Sequence, residues 1–589
     1  MSTLAELVQE WIRLDKNPET RKEIQTLWAA GQVEELEKRM SPRIEFGTAG
    51  LRGKMEAGWS RMNDLIILQA SQGLCAYVMA NVPDARTRGL VIGHDHRHNS
   101  DRWARLTAAA FIEAGMRVHM FYDLVPTPLV PFSVKRLRAA CGVMVTASHN
   151  PKQDNGYKVY WENAVQIIAP HDQGISESIK ANLEPKVWPT TDLPSELCAD
   201  VGNAMREAYF ESLQKANLTR QEELNASLGV RFVNTSMHGV SDPFIRRGFE
   251  VFGFPPYFPV REQQRPDPEF TTVRFPNPEE KGALDLALAT ADKEGVKYVL
   301  AQDPDSDRFS AAEKSPTGEW INFTGDQLGI LFASQALDRY RGSGKAIDKL
   351  AMVASTVSSK MIEAMAKRED FKFVECLTGF KYIGNTALDL VKEGYEVPFG
   401  YEEAIGFMFG SEIRDKDGIA ATLAFAELVT ALQFKGQTAY GYLQELYKTY
   451  GYFKTSNSYF VCNNPITIDR IFHRLRNYSV RLDRTYPTEI GGLEIISVVD
   501  LTIGYDSTNP PNYTPFLPIS SGHMIQFRAK SRNNGTSITL TIRTSGTEPK
   551  IKYYAEGSGR DEEEVSGLLG RVVEELGQVW MEDEKNGLK

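Results

Sequence analysis

The chain has 589 residues, with 67 Lys or Arg against 77 Asp or Glu, a formal net charge of −10. That length exceeds a single hydrophobic core and predicts about three to five domains, with clefts between them. The acidic balance excludes a general nucleic-acid or anionic-membrane binder, although a local basic pocket can still hold a phosphate.

Five cysteines (Cys75, Cys141, Cys198, Cys376, Cys462) stand without CxxC spacing, which speaks against a disulfide framework or zinc ribbon and fits a reducing compartment. The opening "MSTLAELVQEWIRLDKN" is amphipathic and bears both signs of charge, unlike a secretory signal. No run approaches the ~18 apolar residues of a membrane span, so a soluble cytoplasmic protein is expected.

After this helical lead-in, "FGTAGLRG" at residues 46–53 combines three glycines with Thr48 and Arg52, suited to close backbone approach to an anion. Glycine-rich turns are common, and alone it decides nothing. Then "GLVIGHD", "DRWARLTAAAFIEAG", "RVHMFYD", "PLVPFSVKRLRAA" and "CGVMVTAS" read as β-α-β-α-β. Such alternation predicts a parallel sheet with ligands at the carboxyl ends of its strands. Within it "HDHRH" offers His94, His96 and His98 on one face, but Asp95 and Arg97 interleave and no fourth metal ligand is evident. A strand-end loop is the better reading.

Ser148, in "TASHNPKQDNGYKVYW", falls at a strand's carboxyl end. A serine in such a turn is more often a local hydrogen-bonding residue than a nucleophile. A serine hydrolase is disfavoured, because "TASHN" is no G-x-S-x-G elbow and in an extended chain His149 points away from its neighbour's hydroxyl. A phosphoryl carrier requires a metal, cationic donors and a base for the acceptor hydroxyl, and the chain offers each.

A second cycle runs from "LGVRFVNTSMHGV" and "DPFIRRGFEVFG" through "GALDLALATADKEG" to "KYVLAQDPDSDR". Asp303, Asp305 and Asp307 share one face if that chain stays extended, and three converging carboxylates call for a hard divalent cation, Mg²⁺ or Ca²⁺. An EF-hand is excluded by Arg308 and Lys314 at its Gly and Glu positions. The bland alternative is a solvated acidic turn, which the preceding apolar strand argues against.

A third cycle passes "GDQLGILFASQALDRYR", "LAMVASTVSS" and "FKFVECLTGF", reaches "VPFGYEEAIG", and closes on the helix "GIAATLAFAELVTALQF". Glu402 and Glu403 there could accept polyol hydroxyls, although exposed glutamates usually only solubilise. From about Ser456 strand-like runs gather before one terminal amphipathic helix, the pattern of a separate α+β domain; "YDSTNPPNYTPFLP" reads as a loop. In "RTSGTEPK", Arg543, Ser545, Thr547 and Lys550 surround Gly546 in a turn that can cradle a phosphate; a plain polar hairpin is an equal reading.

Taken together, "FGTAGLRG", "TASHNPKQDNGYK", "DPDSDR", "GYEEAIG" and "RTSGTEPK", in that order, make the chain resemble the α-D-phosphohexomutase superfamily over nearly its whole length. The resemblance implies an α/β, four-domain architecture, three mixed α/β domains plus a C-terminal α+β domain around one central cleft. The expected domains are 1–208 with the phosphoserine loop, 209–325 with the metal loop, 326–455 with the sugar loop and 456–589 with the phosphate loop.

By the same resemblance Ser148 is the phosphoserine, and Asp303, Asp305 and Asp307 bind a Mg²⁺ that Ser148 also touches. Arg308 and Arg52 lie near that phosphate, and Lys158, His149 and Lys416 are the candidates for proton transfer. Thr48, Gly379, Lys381, Glu402, Glu403, Arg543, Ser545, Gly546, Thr547 and Lys550 form the substrate-binding set. The motifs look most like the phosphopentomutase subgroup. Where the hexose enzymes carry Ser in the sugar loop this chain has Ala404, and losing that hydroxyl weakens discrimination in favour of a sugar OH.

The implied activity is interconversion of sugar 1-phosphates and terminal phosphates, of ribose, deoxyribose and glucose, by a monomer that uses Mg²⁺ and a sugar 1,6- or 1,5-bisphosphate. Alternatives are a glucose 1,6-bisphosphate synthase fed by an acyl phosphate and a non-catalytic sugar-phosphate sensor. An aspartate-nucleophile phosphatase is disfavoured because Asp307 stands where such enzymes place Thr or Val.

Overall fold

The computed structural model describes all residues except 1–2, 48–49, 189–192, 194–195, 216–221, 479–484, 533–534, 546–548 and 589. The chain divides into two compact units, Met1–Lys345 with Gly379–Ala439, and Ala346–Thr378 with Tyr440–Lys589. The division thus passes through the stretch expected to form the third domain.

In the first unit three helices, Leu4–Leu14, Pro18–Ala29 and Val33–Met40, precede the first sheet. Thr3 and Glu6 form a capping box on the first of them, and Pro18 opens the second, where its missing N–H has no helical partner to lose. Trp11 packs edge-on against Trp59 at 5.0 Å, tying this extension to the core of the first sheet.

That sheet has six strands in the order Leu51–Lys54, Asp154–Tyr160, Cys141–Val145, Leu90–His94, Val118–Met120 and Cys198–Asp200. The last four are mutually parallel and the first two antiparallel to their neighbours, so the expected parallel sheet is mixed. The reason is chain length. Residues 146–153 are too few for a crossover helix, so the strand after them returns as a hairpin.

The second sheet repeats the solution, in the order Trp320–Asn322, Phe309–Lys314, Tyr298–Gln302, Val233–Thr235 and Phe258–Pro259, with a parallel core and an antiparallel return through residues 303–308. Both chemically loaded loops therefore sit at the carboxyl end of a buried parallel strand, where the chain reverses. The hairpin of Glu396–Glu402 with Gly406–Phe409 and the helix Gly418–Phe434 complete this unit. That helix is buried nearly all round, as its predominantly apolar sequence predicts.

In the second unit the strands Leu350–Ser355 and Lys372–Cys376 pair in parallel beside the helix Met361–Glu369. A seven-stranded antiparallel sheet, built on Tyr452–Val461, Lys550–Gly559, Ser537–Thr544, Met524–Lys530 and Leu493–Asp500, backs onto the helix Glu562–Glu575. The two parts are joined by buried polar groups: Lys360 N donates to Glu556 Oε1 at 2.8 Å, and Gln526 Nε2 donates to Thr356 O at 3.1 Å. Residues 507–523 are irregular, as read from their prolines.

Among the described residues no single helix is long and apolar enough to cross a membrane. All five cysteines are free and buried.

Candidate active site

The serine loop begins where Cys141–Val145 ends. Ser148 has φ of +54°, a left-handed backbone that costs a non-glycine residue about 1–2 kcal/mol and persists only when its surroundings enforce it. They do so here. Thr146 Oγ1 accepts from Ser148 N at 2.9 Å and donates to Asp95 Oδ2 at 2.6 Å. The guanidinium of Arg97 donates to four carbonyls of one loop: Ser148 O and Asn150 O, each at 2.6 Å, Pro151 O at 2.9 Å and Asp154 O at 3.1 Å.

With the backbone so turned, Ser148 Oγ donates to Asp303 Oδ2 at 2.8 Å and lies 3.3 Å from His149 Nδ1. The extended-chain premise under which His149 points away does not hold, because the left-handed turn at Ser148 swings both side chains to one side.

The acidic loop is also a turn rather than an extended run. Ser306 N donates to Asp303 O at 2.9 Å, and Ser306 has φ of +60°. The three carboxylates still converge, offering oxygens within 4.8 Å of one another, all buried. The third motif is welded onto them: Arg308 bridges Gly406, Phe309 N donates to Ile405 O, Gly418 N to Ser306 O and the Arg308 guanidinium to Ala404 O. A Cβ on Gly418 would lie 2.3 Å from Arg308 O and 2.7 Å from Ser306 O, so only glycine permits this approach.

The charges of the cluster are nearly but not wholly matched. Lys158 Nζ bridges Asp305 Oδ2 at 2.7 Å and Asp307 Oδ2 at 2.8 Å; Lys416 Nζ stands 3.5 Å from Asp307 Oδ2, and Thr127 Oγ1 donates to Asp305 Oδ2 at 2.5 Å. Two buried oxygens, Asp305 Oδ1 and Asp307 Oδ1, have no hydrogen-bond partner among the described residues. Burial, then repulsion from Asp305 and Asp307, pushes the Asp303 carboxyl well above the usual carboxylate range. Burial acts on Asp305 and Asp307 too, but Lys158, aided by Thr127 at one and by Lys416 and Arg308 at the other, outweighs it and holds both below that range.

Burial pulls the Lys158 and Lys416 ammonium groups down, yet the aspartates around them more than compensate, and both are raised. Burial beside Arg308 and Arg52 keeps the His149 imidazole neutral, well below its ordinary value. An unsatisfied, hard-oxygen donor set with a hydroxyl at its edge fits a Mg²⁺-type ion and not a soft metal.

The glutamates of "GYEEAIG" are close by. Glu402 is buried at the end of its strand, and burial, only partly offset by Lys416 and Arg308, raises its carboxyl. Glu403 and Ala404 form the turn that Arg308 holds. Arg52 is exposed and donates to Asn150 Oδ1 at 3.3 Å. Gly379 (φ +112°) starts the helix Phe380–Lys392; the Phe380 ring underlies Lys416 Nζ at 5.1 Å, while Lys381 Nζ sits 5.1 Å over Tyr382.

In the second unit the strands Ser537–Thr544 and Lys550–Gly559 form the expected hairpin, closed by Ser545 N donating to Lys550 O at 2.9 Å. Arg543 donates to Tyr554 Oη at 3.0 Å and keeps a buried Nε without a partner among the described residues; Lys550 Nζ lies 4.0 Å from the Tyr459 ring centroid. Thr48, Gly546 and Thr547 lie outside the described residues.

Asp95, Arg97, Thr127, Asp415 and Gly418 carry no role in the sequence reading, yet they shape the site. Asp415 Oδ1 accepts from Lys416 N at 2.8 Å, and Gln166 Nε2 donates to Asp415 Oδ2 at 2.8 Å, which fixes the lysine's loop. The "HDHRH" stretch scaffolds the serine loop through the buried Asp95 and Arg97 between its histidines.

Residues 43–186, 207–318 and 324–450 match phosphoglucomutase/phosphomannomutase α/β/α domains I, II and III. The chain is 43% identical to human phosphopentomutase (98% of this chain, 96% of the relative) and 43% identical to the phosphoribomutase of Saccharomyces cerevisiae (99% and 98%). It is 42% identical to human glucose 1,6-bisphosphate synthase (99% and 95%). In fold it is similar to Paramecium parafusin, a phosphoglucomutase, with TM-score 0.65 at 17% identity over 93% of this chain and 96% of that one.

Proposed function

The chain belongs to the phosphoglucomutase/phosphomannomutase family, and from that premise we propose that it is a phosphomutase that moves a phosphoryl group between the 1-position and the terminal position of pentose phosphates, and of glucose phosphate as a second substrate. Support for the pentose reading comes from the phosphopentomutase and phosphoribomutase relatives and from Ala404 in the sugar loop. The observation that carries the reading is the Ser148 hydroxyl, donating at 2.8 Å into a triad that keeps two unsatisfied carboxylate oxygens.

In this reading phospho-Ser148 gives its phosphoryl group to the free hydroxyl of a sugar monophosphate, and the resulting 1,5- or 1,6-bisphosphate turns round and returns its other phosphate to Ser148. Asp303, Asp305, Asp307 and Ser148 would hold a Mg²⁺, which when bound would supply positive charge to the transferring oxygens. Arg308 and Arg52 add cationic hydrogen bonds to the same group. Lys158 and Lys416, kept protonated by their aspartates, donate a proton to Ser148 Oγ as it leaves or to a sugar oxygen, and neutral His149 accepts one.

Glu402 and Glu403 accept hydrogen bonds from sugar hydroxyls, with Thr48, Gly379 and Lys381 completing the pocket. Arg543, Ser545, Gly546, Thr547 and Lys550 grip the phosphate that is not being transferred. We divide the chain into domains 1–208, 209–325, 326–455 and 456–589, each giving one loop to the reaction. We place the protein in the cytoplasm as a monomer; its five free cysteines suit that reducing compartment.

Intact mass tests the carrier: one phosphate on the purified chain, absent from Ser148→Ala. A second reading, a bisphosphate synthase, is favoured by the 42% identity to glucose 1,6-bisphosphate synthase. Converting ribose 1-phosphate with and without an acyl-phosphate donor separates the two, since only the synthase requires the donor.

A further inference from the structure

Residues Asp267–Thr272 reach from the second α/β region onto the serine loop. The turn is held by Asp267, whose Oδ1 accepts from Glu269 N at 2.9 Å and whose Oδ2 accepts from Thr271 N at 3.2 Å and Thr271 Oγ1 at 2.9 Å. At its apex Phe270 has φ of +47° and is 4% exposed. The Phe270 ring lies over the Arg97 guanidinium at 4.9 Å and takes the edges of His96 at 5.3 Å and His238 at 6.5 Å. On the outer side Glu269 accepts from Lys152 Nζ and pairs with His98 Nε2, both at 2.6 Å. These outer pairs are exposed and add little energy. The aromatic lid on Arg97 is the substantive contact.

A guanidinium has five donors in a rigid fork. Arg97 commits four bonds to loop carbonyls, one of them the carbonyl of Ser148 itself, and its Nε faces Asp95 Oδ2 at 3.4 Å. Hydrogen bonds from a charged donor are the stronger kind, and four of them on one loop are together enough to hold Ser148 in its left-handed backbone. Relaxation of that backbone would swing Oγ away from Asp303. Water reaching the guanidinium would compete for the same donors, and Phe270 occupies that face.

We propose that Arg97 and Phe270 are positioning residues for phosphoryl transfer: Arg97 fixes the backbone that presents Ser148 Oγ to the acidic triad, and Phe270 keeps that fork dry. The inference rests on the reading of Ser148 as the phosphoryl carrier.

The test compares full-length wild type with Arg97→Lys, Phe270→Ala and Phe270→Leu by kcat, KM, thermal midpoint, and phosphate on Ser148 by intact mass after incubation with sugar bisphosphate. Lysine keeps the charge but cannot fork to four carbonyls. A displacement of ~1 Å costs about 10²-fold, so Arg97→Lys should lower kcat by about that factor while KM moves less than about threefold. Phosphate loading should slow in parallel. Phe270→Ala should lower kcat about tenfold, and Phe270→Leu, which restores apolar cover, should recover most of it.

A folded Arg97→Lys protein with wild-type kcat overturns the inference, as does a loss that falls on KM alone. Should Arg97→Lys not fold, the Phe270 pair decides, and equal wild-type kcat in both variants overturns it. Wild-type protein that turns over with no phosphate on Ser148 defeats the proposed function and this premise with it. Phosphorylated wild type beside kinetically unchanged variants defeats this inference alone.

Discussion

The loops at 146–154 and 303–308 solve the same geometric problem with opposite charges. Each leaves a buried parallel strand, reverses through a left-handed serine, Ser148 or Ser306, and returns antiparallel. In the first, bare backbone carbonyls are gathered by one buried cation, Arg97, whose two terminal nitrogens meet all four of them while its Nε faces Asp95 Oδ2 at 3.4 Å without a hydrogen bond. In the second, Lys158 and Lys416 gather Asp305 and Asp307, Ser148 Oγ and Arg308 N meet Asp303, and two oxygens are left over. A loop whose carbonyl acceptors are all met is a support, whereas carboxylate oxygens left without a donor mark a binding site, because an orphaned buried acceptor costs about 1–3 kcal/mol.

The largest expected effect comes from removing the group the satisfied loop presents. Ser148→Ala should reduce mutase turnover on the order of 10³-fold or more while leaving the fold intact, measured by coupled assay beside a thermal melt.

Next is the histidine beside the support. Burial, with Arg97 adding to it, lowers the His96 imidazole to about 4 from an ordinary 6.5. The folded state therefore binds fewer protons than the unfolded state between those values. The stability this contributes is complete above pH 6.5 and is lost as pH falls toward 4, by up to about 3 kcal/mol. Denaturant titrations at stepped pH should show that slope, and His96→Gln should flatten it; an unchanged slope would show that the loop around Arg97 tolerates a second cation.

The smallest effect probes the acidic loop. Thr127→Val removes the hydroxyl that donates to Asp305 Oδ2, on the carboxylate whose buried Oδ1 has no hydrogen-bond partner among the described residues. Metal affinity should fall about tenfold, the usual scale for an outer partner of a metal ligand, with the thermal midpoint nearly unchanged. Calorimetric Mg²⁺ titration checks it.

What was legible in the sequence follows the same division. The convergence of the aspartate triad could be read because its chemistry is local, with like charges spaced two apart after an apolar strand, whereas Ser148, a serine among turn formers, stood out only through the resemblance of its motif to a known family. The alternating strands and helices were equally plain. The supports were not, since Arg97 works on carbonyls more than fifty residues away, and backbone carbonyls leave no mark in a sequence. Phe270 looks like any core aromatic, and the need for glycine at Gly418 arises only from two carbonyls of the acidic loop brought against it. Extended-chain reasoning failed at Ser148 and Ser306 for one reason: both loops store a left-handed residue that tertiary hydrogen bonds enforce.

The central claim is that Ser148 and the acidic triad share one divalent ion. Phosphorus NMR of the phosphorylated protein with Mn²⁺ in place of Mg²⁺ tests it most directly. The phospho-Ser148 resonance should broaden beyond detection in the wild type and sharpen again in Asp305→Asn with Asp307→Asn. A resonance that stays sharp in the wild type at saturating Mn²⁺ would contradict the account.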